Sequence, residues 1–154
     1  MNNSNAIFKK HLLGMLTDRT YAQLAMDLDI SENTLKSWMR PCRGPSMKKL
    51  DELADKLNCY TFDLIKEGAL PTRLLYKKNN SHAAFKRNLN IQFINRQCFN
   101  KAKKILLLGN AVSEFALTSY LRPANFKMPT LEKLDRIADE LGIKTYELLL
   151  EEIK

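Results

Sequence analysis

The 154-residue sequence is poor in the residues on which most metal and catalytic sites depend. It has three cysteines, an odd number with no CxxC pair, and only two histidines, His11 and His82. This usage does not suit a disulfide framework or a thiolate metal site, so we expect no metal, no cofactor and a reducing, cytoplasmic location. No Ser/His/Asp set, paired-carboxylate site or Gly-rich phosphate loop appears, which predicts that the protein is not an enzyme.

Glycine, proline and long apolar runs are also scarce. Five glycines and five prolines are few for a chain built from many β-turns, so an all-α fold is predicted. No apolar run approaches membrane-spanning length, and the N-terminal MNNSNAIFKK lacks the apolar core of a signal peptide. We therefore expect no membrane association. Apolar residues still make up 45% of the chain, enough for a real core.

Acidic residues are nearly absent from the middle of the chain. Residues 71–130 contain eleven Lys/Arg and one acidic residue, Glu114, whereas residues 1–70 have a net charge of +1 and residues 131–154 of −3. The overall charge is +8. Such a basic segment is typical of a surface that follows the phosphates of a nucleic acid, although a solvated linker with basic helix faces would look the same.

An internal repeat organises the sequence. Residues 48–67 and 132–151 align without gaps at an offset of 84 and are identical at nine of twenty positions. Further upstream, Phe8-Lys9-Lys10 is similar to Phe85-Lys86-Arg87 at an offset of 77. The repeat predicts two related domains, 1–68 and 82–154, joined by a polar, proline-containing linker at 69–81. Four aspartates recur at equivalent repeat positions, which we interpret as solvation of a helix surface: Asp51, Asp55, Asp135 and Asp139.

Apolar spacing and capping residues predict five short helices in each domain. In the first domain, Thr20 with Gln23 forms a capping-box pattern, and Ser31 and Ser46 are N-cap candidates. The five predicted helices include 6–15, one that Thr20 caps, 32–39, one that Ser46 caps, and a short last helix. In the second domain we expect helices at 82–94, 100–107 and 114–121, with a longer turn at 108–113.

The stretch from Thr20 to Trp38, TYAQLAMDLDISENTLKSW, resembles the helix-turn-helix of the lambda-repressor and Cro-like family. That family has roughly the pattern T-x-x-x-L-A-x-x-L-x-I-S-x-x-T-[ILV]-x-x-[WYI], and every anchor is present. The resemblance covers residues 5–67. It implies two tandem five-helix, lambda-repressor-like helix-turn-helix domains, the second divergent. Ala25 would let the helices approach closely, while Ile30, Leu35 and Trp38 would hold the turn to the core.

The free face of the third helix would then enter a DNA major groove. Base-reading residues are predicted to be Glu32, Asn33, Lys36 and Ser37. Asn33 suits adenine and Glu32 suits the cytosine amino group. Phosphate contacts are predicted, partly from the resemblance, for Thr20, Tyr21, Arg40, Arg43, Lys48, Lys49, Lys101, Lys103 and Lys104. Other basic residues of the middle segment expected near phosphates are Arg73, Lys77, Lys78, Lys86 and Arg87.

The second copy departs from the pattern at its outward positions. Phe115 replaces Asn33, Thr118 replaces Lys36, and Tyr120 replaces Trp38. A phenylalanine cannot hydrogen-bond a base edge, although it can touch a thymine methyl. An exposed aromatic residue is more typical of a protein contact. Phe115 and Tyr120 are therefore predicted partner contacts, and base reading by both copies stays the alternative.

Together these observations predict a sequence-specific regulator of transcription that binds double-stranded DNA. Small regulators of this family, many from phages and mobile elements, are most often repressors. Two copies would reach half-sites about 34–36 Å apart, or the chain would form a homodimer. The alternative is a protein- or RNA-binding regulator, such as an antirepressor, that grips its partner through the second domain.

Overall fold

The computed structural model describes residues 1–41, 43–75, 77–122 and 128–151. Within these ranges all regular secondary structure is helical, which confirms the predicted all-α class for the described part of the chain. The chain divides into two compact units. Residues 3–79 form the first unit, and residues 1–2 together with 80–154 form the second unit.

Five α-helices build the first unit. They are α1 (Ser4–Met15), α2 (Tyr21–Leu28), α3 (Glu32–Trp38), α4 (Met47–Lys56) and α5 (Thr61–Leu64). Their starts follow the predicted caps. The Thr20 hydroxyl accepts from the Gln23 amide while the Gln23 side chain accepts from the Thr20 amide, a reciprocal capping box. Ser31 and Ser46 accept from the amides of Thr34 and Lys49 in the same way.

The core of the first unit is formed by one apolar face from each helix. Phe8 and Trp38 meet edge to face, with ring centroids 5.9 Å apart at 63°. Around this pair lie fully buried aliphatic side chains from α1 to α4, including Leu12, Leu24, Leu28, Leu35, Leu50 and Leu53. The buried aromatic pair fixes α3 against α1, because burial of both rings is lost if α3 moves.

The second unit has α6 (Ser81–Asn95), α7 (Lys101–Leu108), α8 (Glu114–Tyr120) and α9 (Leu131–Leu141). Two 3-10 helices, Gly109–Ala111 and Thr145–Leu149, complete its regular structure in the described residues. The longer turn predicted before the third helix is therefore a 3-10 helix, entered through Gly109 at a positive φ of 54°. The expected fifth helix of this copy is also of the 3-10 type.

Tyr120 belongs to the core of the second unit, so its predicted role as an exposed partner contact is wrong. Its side chain is only 5% exposed and meets Phe85 edge to face at 6.1 Å and 77°. Burial raises the pKa of its hydroxyl. The Phe85–Tyr120 pair is the counterpart of the Phe8–Trp38 pair, which explains why an aromatic residue stands at this position in both copies.

The segment predicted as a linker is mostly part of the first unit. Residues 69–79 belong to it, and Arg73 anchors them through two hydrogen bonds to Asp63, at 2.8 and 3.0 Å. The guanidinium also lies 5.1 Å from the ring centroid of Tyr60. The Asp63 carboxylate raises the pKa of Arg73. The expectation that Arg73 holds a phosphate is therefore wrong, because its guanidinium is already paired with a buried carboxylate.

In each unit an asparagine from outside the repeat helix, which is α4 in the first unit and α9 in the second, binds an aspartate near the C-terminal end of that helix. In the first unit the Asn79 side chain donates to the Asp55 carboxylate at 2.8 Å and to the Cys59 carbonyl at 3.0 Å, and accepts from the Thr61 amide at 3.2 Å. The Asn79 backbone amide donates to the same carboxylate at 2.8 Å. We call this arrangement the asparagine clip.

The second unit contains the same clip around Asn2. Its side chain donates to Asp139 and to the Ile143 carbonyl, both at 2.8 Å, and accepts from the Thr145 amide at 3.1 Å. Its backbone amide also donates to Asp139 at 2.8 Å. The acceptors and donor lie 84 residues after those of the first clip, so the sequence repeat extends to individual hydrogen bonds.

The other pair of repeated aspartates binds threonine hydroxyls. Thr61 donates to Asp51 at 2.6 Å in the first unit, and Thr145 donates to Asp135 at 2.7 Å in the second. Asp135 is buried. The interpretation of these aspartates as surface solvation is therefore wrong for the buried Asp135, and all four accept hydrogen bonds from residues outside their own helix.

Candidate nucleic-acid interface

Three residues, 29–31, connect α2 to α3 and set the direction of α3. Asp29 adopts a left-handed conformation with φ 56°, and the Ile30 amide returns to the Ala25 carbonyl at 3.0 Å. Ser31 then caps α3. Ala25, at the contact between the helices, is buried, while Ile30 is half-buried. The connection is thus held by a backbone hydrogen bond and by the cap of Ser31.

The short helix α3 has sharply different inner and outer faces. Leu35 and Trp38 are buried in the core of the first unit. Glu32, Asn33 and Lys36 are exposed, and Ser37 is half-buried. The four predicted base-reading residues therefore share the solvent side of one helix, because the aromatic and leucine anchors occupy the opposite side.

The charged groups of this outer face are held in place by each other. The Lys36 ammonium lies 3.0 Å from the Glu32 carboxylate, one helical turn away, and 5.9 Å from the ring centroid of Tyr21 on α2. Both side chains of the ion pair remain about half exposed. An exposed pair of this kind adds little stability. Its effect is to keep a carboxylate acceptor and an ammonium donor side by side on the outer face.

Asn33 and Ser37 differ in how free their polar groups are. The Ser37 hydroxyl donates to the Thr34 carbonyl of its own helix at 2.7 Å. Asn33 is exposed, and its side chain makes no hydrogen bond within the described residues. Its amide can both donate and accept, so it is the most available group on this face for a bidentate contact.

The residues of the first unit that are predicted to contact phosphates differ in how free their side chains are. Arg40, Arg43 and Lys48 are exposed. Lys49 is paired with Glu52 at 3.1 Å, and the Thr20 hydroxyl is occupied as a cap. The sequence did not indicate that Lys9 contacts this region: its ammonium donates to the Arg40 carbonyl, two residues after the end of α3. A lysine on α1 gives no sequence signal for this hydrogen bond, because the contact depends on tertiary packing.

The corresponding face of the second unit has different chemistry. Phe115 is 77% exposed and occupies the second position of α8, as Asn33 does in α3. Lys101 at the start of α7 pairs with Glu114 at 3.0 Å, and the Lys104 ammonium lies 5.1 Å from the ring centroid of Phe93. Lys103 is exposed. The three lysines lie on α7, and the neighbouring α8 presents the Phe115 ring where α3 presents the Asn33 amide.

Sequence reasoning also missed the asparagine clips, although a signal for them was present. The tripeptide Asn-Asn-Ser occurs at residues 2–4 and again at 79–81, at the same offset of 77 that relates Phe8 to Phe85. The second asparagine of each caps the helix that follows: Asn3 accepts from Ala6 and Asn80 from Ala83. Three identical residues in a polar stretch indicate shared hydrogen bonding, which apolar periodicity does not detect.

Reactive and metal-binding groups are sparse in the part of the chain that the structure describes. There, no three His, Cys, Asp or Glu side chains lie where they could share a metal ion. Cys59 is buried, and burial raises the pKa of its thiol to about 12, so the thiol stays protonated. Among the same residues no helix combines the length and apolar character needed to cross a membrane.

Comparisons of the chain with protein-family models, with curated proteins and with solved structures give no match.

Proposed function

We propose that the chain is a sequence-specific regulator of transcription, with α2 and α3 forming a helix-turn-helix whose α3 reads the DNA major groove. The observation that supports this most directly is the division of α3 into a buried Leu35–Trp38 face and an outer face with a free asparagine amide. A major groove is wide enough to accept such a helix. In this proposal both units are lambda-repressor-like domains, and the resemblance favours a repressor.

Base recognition is assigned to the outer face of α3. Asn33 forms a bidentate pair with adenine, and Glu32 accepts from the amino group of a cytosine while Lys36 holds its carboxylate. The exposed side chains of Arg40, Arg43 and Lys48 contact phosphates. Residues 1–70 carry a net charge of only +1, so the remaining cations are supplied by the basic segment 71–130 or by a second copy of the chain.

A gel-shift experiment tests this function. The full chain is titrated with duplex enriched from a random pool, with unselected duplex and with RNA, at about 150 mM salt. We expect the enriched duplex to bind at least about 10³-fold more tightly than the unselected duplex. Equal binding to both duplexes contradicts sequence reading, and tighter binding to RNA favours an RNA-binding regulator instead.

The variant Asn33→Ala tests whether this one residue contributes to sequence discrimination. Loss of a bidentate pair costs about 1–3 kcal/mol of discrimination, or roughly 5- to 150-fold in affinity for the enriched duplex. Binding to unselected duplex stays the same, because phosphate contacts are untouched. The matched control is Asn95→Ala, which removes another exposed asparagine from the C-terminal end of α6. If both variants lose the same affinity, Asn33 does not read a base.

A further inference from the structure

An open groove of about 400 Å³ lies between α7 and α8 of the second unit. Its wall on α7 consists of Lys101 and Lys104, and α8 and the residues just after it supply the floor and the other wall. Those residues are Leu117, Thr118, Leu121 and Arg122. The groove therefore combines an apolar floor with cations on both sides.

The cations of this groove exceed the acidic groups that face them. Glu114 pairs with Lys101, and it is the one acidic residue in the whole basic segment 71–130. Lys104 is held over the Phe93 ring, and Arg122 is exposed. Among the described residues neither Lys104 nor Arg122 forms an ion pair, so the groove keeps two positive charges beyond the Lys101–Glu114 pair. It therefore favours an occupant with acidic side chains or phosphates.

Apolar groups distinguish between these two occupants. Phe115 precedes Thr118 by about one turn of α8, so its exposed ring lies on the same side of the helix as the threonine that lines the groove. Leu117 and Leu121 form the floor. A phosphate backbone would satisfy the cations but would leave the Phe115 ring and the half-buried Leu121 in contact with water. An amphipathic protein segment satisfies both.

The same positions in the first unit show how the groove arises. Tyr21 and Lys101 each begin the second helix of their unit, and Lys36 and Thr118 each occupy the fifth position of the third helix. In the first unit the Tyr21 ring and Lys36 lie against each other, with 5.9 Å between ammonium and ring centroid. In the second unit a flexible lysine and a short threonine stand there, and Thr118 turns its hydroxyl to the Glu114 carbonyl at 3.0 Å.

We propose that this groove, together with Phe115, binds an acidic amphipathic segment of a partner protein. Aliphatic or aromatic side chains of the segment contact Leu121 and the Phe115 ring, and its carboxylates pair with Lys104 and Arg122. The site goes beyond base reading, because none of its residues lies on α3, and it assigns Lys104, predicted from the sequence as a phosphate contact, to a protein partner instead.

Peptide binding to the full chain tests the proposal. The probe is a labelled peptide of about 18 residues, five helical turns, with Leu and Phe along one face and Glu beside them. The comparison peptide has the same composition with the two kinds of residue mixed around the helix. We expect the patterned peptide to bind at least about tenfold more tightly by fluorescence anisotropy, since only it presents both groups together. Equal binding of the two peptides, or no binding of either, overturns the proposal.

Substitutions locate the site. Phe115→Ala and Arg122→Gln should each weaken the patterned peptide about tenfold. The matched controls, Phe99→Ala and Lys103→Gln, change an aromatic residue that is 69% exposed and an exposed lysine, neither of which lines the groove. Circular dichroism checks that each variant is folded. If unselected duplex DNA displaces the peptide and Phe115→Ala weakens DNA and peptide equally, the groove is a nucleic-acid site and the proposal is wrong.

Discussion

Helices α3 and α8 pack into their units in the same way, which we call the packing frame, and differ in the side chains that they present to solvent. Each has seven residues, begins after a serine cap and ends on a buried aromatic residue that meets a phenylalanine of its unit's first helix. Outside that frame, Asn33 and Lys36 are replaced by Phe115 and Thr118. The comparison teaches that packing restricts the inner positions, while the outer positions are free to take up a different partner.

The largest expected effect comes from the buried aromatic of each frame. Trp38→Ala and Tyr120→Ala should each lower the free energy of unfolding by about 3–5 kcal/mol, because each removes a fully packed ring. Urea denaturation measures this, and Tyr120→Phe serves as the control that keeps the ring. A Tyr120→Ala protein as stable as the parent chain would mean that Tyr120 lies on the surface, and the likeness of the two frames would be lost.

The asparagine clips should give the next largest effect, and a similar one in each unit. Asp55→Ala and Asp139→Ala each remove an acceptor of two hydrogen bonds and leave asparagine donors unpaired. We expect a loss of about 0.5–1.5 kcal/mol in each case by urea denaturation, because the asparagine donors are not deeply buried and can bind water instead. Glu52→Ala, which breaks only an exposed ion pair, is the control and should cost far less. A large loss in one unit alone would show that the two clips are not equivalent.

A smaller, pH-dependent effect should distinguish the units. His82 stands where the first unit has Asn5, and burial lowers the pKa of its imidazole despite a hydrogen bond to the Tyr120 carbonyl at 3.2 Å. Between the lowered pKa and the ordinary value of 6.5, the unfolded chain binds more protons than the folded chain. The contribution of neutral His82 to the free energy of unfolding is thus fully present above about pH 6.5 and is lost as the pH falls from there through the lowered pKa.

His82→Asn tests this difference by making the second unit like the first. Unfolding by urea at several pH values between about 8 and 5 should show a shallower decline for the variant than for the parent chain. Identical curves would mean that His82 is as solvated in the folded chain as in the unfolded one.

The smallest expected effect on stability comes from replacing outer residues of α8 with those of α3. Phe115→Asn with Thr118→Lys gives α8 the outer residues of α3. The change in unfolding free energy should stay within about 0.5 kcal/mol, because neither side chain is buried. Binding of the patterned acidic peptide should fall about tenfold in the same protein. A large loss of stability would show that the outer face is part of the frame after all.

The sequence allowed the helices and their caps to be predicted because those signals are local. Thr20, Ser31 and Ser46 stand directly before the helices they cap, and Leu35 and Trp38 follow helical spacing. The errors concern contacts made through tertiary packing. Tyr120 and Arg73 have side chains typical of surfaces and interfaces, yet one fills a core position and the other pairs with a buried carboxylate. The groove beside Lys104 depends on the packing of two helices, which periodicity alone does not specify.

Selection of bound sequences from random duplex DNA tests the central claim, that α3 reads bases and α8 does not. The selection is run with the full chain, with Asn33→Ala and with Phe115→Ala, and the enriched pools are sequenced. We expect one kind of recognition element, weakened at one base pair by Asn33→Ala and unchanged by Phe115→Ala. A second kind of element that Phe115→Ala alters, or no enrichment by the parent chain, would contradict the account.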